Sequence, residues 1–387
     1  MKPVRIIVKG SRRRADFCPV SVDISKSAES ASSCTLFDEA RDMPVPFQVE
    51  ELNKGCRLHW IEHSIAPDQE KVYVLRQSTR APADARVRVK REETGRVSVT
   101  IGGELFTNYL YGEDMNKPCI YPVIGPFGDG MTRSFPLEER EGDTNDHPHH
   151  RSIWTCWGDV NGVDFWEEHS DDFGTVQHRY FENTDSGDVF GRIVALHDWL
   201  DNDGNRVCQD RIEYRFYNTP TSFRMMDMDV TLYASDGAVK LGDTKEGGLC
   251  AVRVATPMDV NHESGTGQFS NSLGSVNEGE CWGKKASWCD YYGEVNGHMV
   301  GIGVFDHPSN PRYPTYWHVR NYGLMTANPF GESFFVGKER DGSMEIPDGD
   351  SATWRYRIFV HPGRAEDAGV RERYLDWVHA PKAELSE

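Results

Sequence analysis

Long apolar runs, an excess of basic charge, paired-cysteine motifs and sustained helical periodicity are all missing from this sequence. No stretch approaches the roughly 20 apolar residues of a membrane-crossing helix. Lys and Arg number 43 against 61 Asp and Glu, for a net charge of −18 at pH 7. Nucleic acid and anionic lipid both demand a basic face, so neither is an expected partner. The nearest thing to a basic run, SRRRADF (11–17), is short and isolated. Nine cysteines occur without a single Cys-x-x-Cys pair, which excludes zinc-ribbon spacings and fits reduced, buried thiols better than a disulfide framework. The opening MKPVRIIVKGSRRRADF carries only a short apolar patch, not the core of a secretory signal. The expected location is the cytoplasm.

What the sequence does have is strand signals: alternating runs broken by Gly, Asn, Asp and Pro. VRIIVKG (4–10), CRLHWIEHSI (56–65), VYVLRQS (72–78), RVSVTIGG (96–103), DRIEYRFYN (210–218), MVGIGVFD (299–306) and TWRYRIFVHPG (353–363) all fit. Asp-Gly turns at DNDGN (201–205) and ASDGA (234–238) supply the positive φ that hairpins need. The best helical pattern is RAEDAGVRERYLDWVHA (364–380). Many short strands without βαβ alternation predict an all-β fold, a large antiparallel sandwich with few short helices. An Ala/Arg/Pro-rich shift at 79–90 reads as a linker, dividing a small N-terminal β-unit (1–85) from a large sandwich (86–387) that carries the site.

Three stretches concentrate chemistry. GDTNDHPHHRSIWTCWGDVNGVDFW (142–166) holds three histidines, Arg151, Trp154, Asp164 and Trp166. Pro148 pushes His147 out of helical geometry. In extended chain His147 and His149 share a face, with His150 opposite, and two imidazoles on one face are a candidate metal pair that needs a third ligand such as His307. Asp159, Asn161 and Gly162 read as a turn, while Asp164 beside Trp166 reads either as a turn or as a carboxylate and ring for a sugar. LGDTKEGGLCAVRVA (241–255) sets Lys245 and Glu246 against a Gly-Gly pair, with Arg253 following; glycines permit close approach, and a carboxylate near cations stays ionised. FDHPSNPRYPTYWHVRNYGLMTANPFG (305–331) contributes His307, Asn310, Tyr316, His318, Arg320, Tyr322 and Asn328. Its YWHVRNY core in extended form puts Tyr316, His318, Arg320 and Tyr322 on one face, which is poor core and good binding surface.

Together, DHPHHR with GDVNGVDFW, then GDTKEGG and its arginine, then DHPSNPR through NPFG, resemble the bacterial proteins labelled "methane oxygenase PmoA", the DUF6807 family, from about residue 100 onward. The resemblance implies a galactose-mutarotase-like β-supersandwich in a setting of carbohydrate catabolism. The methane-oxygenase label conflicts with the sequence, because that enzyme's subunit lies in the membrane and this chain has no spanning run. SIWTCW stands where the family pattern suggests a Gly and a further His, which weakens a metal scheme. The residues carried over are His147, His149, His150, Arg151, Asp164, Lys245, Glu246, Arg253, His307, Asn310, His318, Arg320 and Asn328.

The expectation is a carbohydrate-active enzyme that cleaves a glycoside or sugar derivative, by hydrolysis or keto-sugar elimination. Glu246 would be the base and His150 or His318 the acid, with His149 and Lys245 beside them. Arg151, Arg253, Arg320, Asp164, His307, Asn310 and Asn328 would bind substrate, and Trp154, Trp166 and Tyr316 would stack on the ring. No cofactor is fixed by the sequence, and His147 and His149 with His307 or His318 could hold a divalent metal in a lyase or hydrolase. A mutarotase or epimerase and a non-catalytic sugar-binding protein remain alternatives. The oligomeric state is left open.

Overall fold

The computed structural model describes residues 3–77, 85–93, 95–168 and 173–386. Strand makes up 51 % of the chain and helix 7 %, so the all-β expectation holds. Among the described residues no helix is long and apolar enough to cross a membrane. All nine cysteines are buried and unbridged.

The chain divides into two compact units. One comprises the described residues up to Arg88, with Ser186–Gly191 and the segment from Arg371 onward. Its five-stranded sheet runs Lys382–Leu385, Val4–Lys9, Glu70–Gln77, Cys34–Asp38, Met43–Val45. A three-stranded sheet orders Ala15–Ile24, Cys56–Ile65 and Phe47–Glu51. The alternating apolar residues Ile6, Val8, Leu36, Leu58, Trp60 and Leu75 meet in a core with exposures of 1 % or less, as period-2 patterning requires. The C-terminal strand closes this unit by pairing Ile6 with Leu385. The expected linker behaves differently along its length: 78–84 lie outside the described residues, but Val87–Glu92 is a strand. The expected C-terminal helix is shorter than its pattern, Val370–Val378, because Ala365–Gly369 form turns that end at Gly369 with φ +62°.

The other unit, Val89–Asp185 with Arg192–Val370, is built on two eight-stranded antiparallel sheets. The first runs Tyr316–Val319, Leu324–Asn328, Gly247–Arg253, Ile153–Trp157, Cys119–Val123, Glu104–Leu110, Arg96–Ile101, Val87–Glu92. The second runs Thr175–Asp185, Phe190–Leu200, Arg206–Tyr217, Arg224–Tyr233, Ser351–Pro362, His298–Asp306, Trp288–Val295, Gln268–Asn271. Their inner faces interdigitate: Phe106 meets Phe216, and Tyr109 meets Tyr214. A buried polar network stitches the layers, with the Tyr109 hydroxyl 2.6 Å from His197 Nε2 and Trp199 Nε1 donating to Asp210 at 2.7 Å. This is a β-sandwich, and the three chemistry-rich stretches feed its first sheet at one edge.

Candidate functional site

Four adjacent strands at that edge, Ile153–Trp157, Gly247–Arg253, Leu324–Asn328 and Tyr316–Val319, position the site together with the loops that join them. The DHPHHR segment is not extended. His150 N–H donates to the His147 carbonyl at 3.0 Å, closing a tight turn, and His147 adopts φ +44°. A non-glycine residue in the left-handed region must be held there. Arg133 does so, donating to the carbonyls of Asp146 (2.7 Å) and His147 (2.9 Å). The turn gathers all three rings instead of splitting them: His147 stacks on His150 at 4.8 Å, and His149 meets His150 edge-on at 4.4 Å.

Beneath the turn, two guanidiniums with no solvent exposure, Arg133 and Arg253, converge on Asp146 Oδ1, while Oδ2 lies 2.8 Å from His147 Nδ1. Burial alone would raise the Asp146 carboxyl. The His147 bond and the charges of Arg253 and Arg133 outweigh it and hold the carboxyl well below the usual range. Arg253 Nη1 sits 3.1 Å from His150 Nδ1. A guanidinium can only donate, so Nδ1 accepts and the His150 proton belongs on Nε2. Burial, then neighbouring His149 and Arg253, push His150 well below the ordinary imidazole range.

His318 lies 2 % exposed on its strand. Burial, then Lys245, Arg320 and His147, push it down to about 3. Lys245 pairs with the Glu246 carboxylate, and burial followed by Arg320 lowers its ammonium. Arg320 pairs with Glu278 at 2.9 Å. Tyr322 closes the group: its ring stacks on His147 at 4.8 Å, with Arg253 and Arg320 over it at 5.0 and 5.3 Å. His147, Lys245, Glu246 and Arg320 keep side-chain exposures of 39, 33, 29 and 30 %, so the cluster has a wet rim over a dry floor. An imidazole held near pKa 3 has no extra proton to donate at neutrality. Burial thus favours the neutral imidazole at His318 and at His150, whereas the acid role expected of either needs the protonated form.

Asn328 shapes the Lys245–Glu246 loop, donating through Nδ2 to the carbonyls of Thr244 (3.1 Å) and Lys245 (3.0 Å). The glycines after it are needed for packing: a Cβ on Gly247 would sit 2.4 Å from the Trp157 ring, and one on Gly248 would sit 2.7 Å from Thr326. What approaches them is the protein's own core, in place of the ligand expected. Asn328→Ala should cost about 1–3 kcal/mol by stranding buried carbonyls. Urea unfolding checks this, and an unchanged midpoint would remove Asn328 from the support of the loop.

Several expected residues stand elsewhere or do other work. His307 contacts Ser309 Oγ at 2.7 Å and senses Arg355, Asp227 and Arg357, on strands of the second sheet. Asn310 donates to Asp306 at 2.7 Å and to the Arg355 carbonyl at 2.8 Å, and accepts from the Arg355 N–H. The trio His147, His149 and His307 is therefore not assembled. Among the described residues no group of three or more His, Cys, Asp or Glu side chains is placed to hold a metal ion. Trp154 and Trp166 are at most 1 % exposed and form the floor under His150, each 5.5 Å from its ring, so they offer no open face for stacking. Asp164 Oδ1 caps the backbone N–H groups of Trp166 (2.7 Å) and Glu167 (3.2 Å). Arg151 is committed to Glu168 at 2.7 Å, which Lys117 also holds at 3.0 Å. Tyr316 leans on Phe335 at 5.5 Å. Sequence reasoning missed Arg133, which has no local motif, and the anchoring part of Asp146, whose place before His147 was the available signal.

Fold and site thus define a β-sandwich protein with a histidine, arginine and lysine cluster at one sheet edge. The chain belongs to the family of unknown function DUF6807, which matches residues 96–375, as the motifs implied. Among solved structures it is similar to a protein in glycosyl hydrolase family 38 from Enterococcus faecalis, with 8 % identity and a TM-score of 0.48, covering 100 % of this chain and 47 % of that one. It is also similar to a GalM/aldose epimerase homologue from C. elegans, with 9 % identity and a TM-score of 0.30, covering 72 % of this chain and 100 % of that one. The chain spans about half the length of the first of these. No curated protein matches its sequence.

Proposed function

We propose that this protein is an enzyme that cleaves a sugar derivative by elimination from a keto-glycoside. The observation that carries the proposal is the juxtaposition of a buried neutral imidazole, His318, with an ammonium of lowered proton affinity, Lys245, under the charge of Arg320. Such a pair suits proton removal beside a carbonyl. His318 takes the proton, the C–H electrons pass through an enolate into a C=C bond, the bond to the leaving oxygen breaks, and Lys245 protonates that oxygen. A base near pKa 3 is weak in the resting site. The developing enolate offsets the Lys245 and Arg320 charges that depress it, so basicity returns as the reaction proceeds. Hydrolysis by two carboxylates finds less support: Asp146 is tied to two arginines and Glu246 to Lys245, leaving neither as an acid.

Proton NMR of the protein incubated with free sugars, glycosides and 3-keto-glycosides tests this. The expected result is a new vinylic signal from the keto-glycosides alone, appearing far more slowly with His318→Gln and Lys245→Met. Anomer exchange of free sugars without any vinylic product would replace elimination by mutarotation. Line broadening without turnover would replace the enzyme by a binding protein.

A further inference from the structure

A cleft of about 550 Å³ opens in the sandwich unit at the start of strand Glu104–Leu110 and the loop after Cys119–Val123. That volume falls in the range of small-molecule sites. Its walls include Leu105, Ile124, Pro126 and Phe127, and its charged lining is Arg224 and Glu104. Leu105 and Phe127, 40 and 49 % exposed, line the same hollow, where two large apolar side chains together exceed the scattered single exposures of an ordinary surface. A register shift between Leu105 and Thr107 turns the strand, so that Phe106 and Thr107 are both buried while Leu105 is left lining the cleft. Phe127 stacks one ring face on His298 at 4.2 Å, which fixes the ring and leaves the other side for a guest.

Arg224 makes the hollow selective. It is 5 % exposed, and its Nη1 is spent on the carbonyls of Pro220 (2.9 Å) and Phe223 (3.3 Å). Its Nη2 faces Glu104 Oε2 at 4.0 Å, beyond hydrogen-bond range, and that carboxylate is 73 % exposed. A buried cation whose counter-ion is distant and water-screened is under-compensated; burial accordingly pushes its guanidinium below the ordinary value. Apolar walls with one such cation at their edge complement an apolar body that ends in a carboxylate, which can take charge-assisted hydrogen bonds from Nη2, the terminal nitrogen not spent on carbonyls.

We infer that this cleft binds a small amphiphilic carboxylate, its apolar body between Leu105 and Phe127 and its anion on Arg224. The site is separate from the histidine cluster, and neither proposal depends on the other. The test uses 4-phenylbutyrate and its uncharged partner 4-phenylbutan-1-ol, titrated into the intact protein with backbone NMR and calorimetry. Phenylbutyrate is expected to shift Leu105, Ile124, Phe127 and Arg224 signals and to bind about tenfold or more tighter than the alcohol. Arg224→Gln should erase that preference and Arg224→Lys retain part of it. Glu104→Gln, which removes only the competing carboxylate from the surface, should tighten phenylbutyrate severalfold without affecting the alcohol. No shifts at millimolar probe, equal binding of acid and alcohol, shifts confined to the histidine cluster, or an unaltered affinity in Glu104→Gln would each overturn the inference.

Discussion

His318→Gln should lower turnover of a keto-glycoside by about 10²–10⁴-fold, the usual contribution of a positioned proton-transfer group, while circular dichroism and substrate affinity stay close to wild type. The pH profile separates this from simple damage. His318 is held near 3 by burial and by Lys245, Arg320 and His147, so the base is already neutral through the range in which ordinary histidines titrate. The rate should show no inflection near pH 6.5. In Lys245→Met one of the depressing charges is gone, and the residual activity should acquire an acid limb at higher pH than wild type. A wild-type limb near 6.5, or an unmoved limb in Lys245→Met, would remove His318 from the reaction.

The same residue predicts a stability difference. Between about 3 and 6.5 the unfolded chain binds a proton at His318 that the folded protein does not, so its contribution is present above 6.5 and is lost as pH falls toward 3. Asp259 and Asp306, raised to about 7 mainly by burial, act in the opposite direction from about pH 4 to 7, because there the folded state holds the extra proton. The informative quantity is therefore the difference between wild type and His318→Gln across denaturant curves at pH 7, 5.5 and 4.5. The difference should shift in favour of the variant as pH falls.

Much of the architecture was legible because strand alternation is a local property: Val4–Lys9, Cys56–Ile65 and His298–Asp306 fall where the pattern puts them. The pairing of Lys382–Leu385 with Val4–Lys9 was not, since nothing local says which edge a terminal strand will cover. At the site, Lys245, His318 and Arg320 were legible as chemistry out of place in a core. The histidine turn was not. Pro148 constrains its neighbour, but the positive φ of His147 depends on Arg133, fourteen residues upstream. Aromatic residues misled for a related reason: tryptophans beside titratable groups look alike whether they face a ligand or, like Trp154 and Trp166, support the histidines from below. The repeated Asp-His-Pro of 306–308 resembled 146–148 in letters, yet its Asp306 accepts from Asn310 and the Thr315 N–H and not from paired arginines.

Asp146→Ala should be the most destabilising single change at the site. Arg133 and Arg253, both without solvent exposure, share Asp146 Oδ1, and removal of that carboxylate leaves two buried like charges facing each other. Breaking a buried pair costs about 3–5 kcal/mol. The lower end applies here, because the Asp146 side chain is 40 % exposed and water screens part of what is lost. Activity should fall with it, because Arg253 orients His150 and Arg133 holds the turn that carries His147. Asp146→Asn decides between charge and shape: it keeps an acceptor of the same size but cannot neutralise two guanidiniums, so most of the loss should remain. If Asp146→Asn unfolds at the wild-type urea midpoint, hydrogen-bond geometry alone holds the arginines, and the electrostatic account of this floor fails. If it falls close to Asp146→Ala, the carboxylate charge is what permits two buried arginines to lie beneath neutral imidazoles, and the histidine turn exists because that charge does.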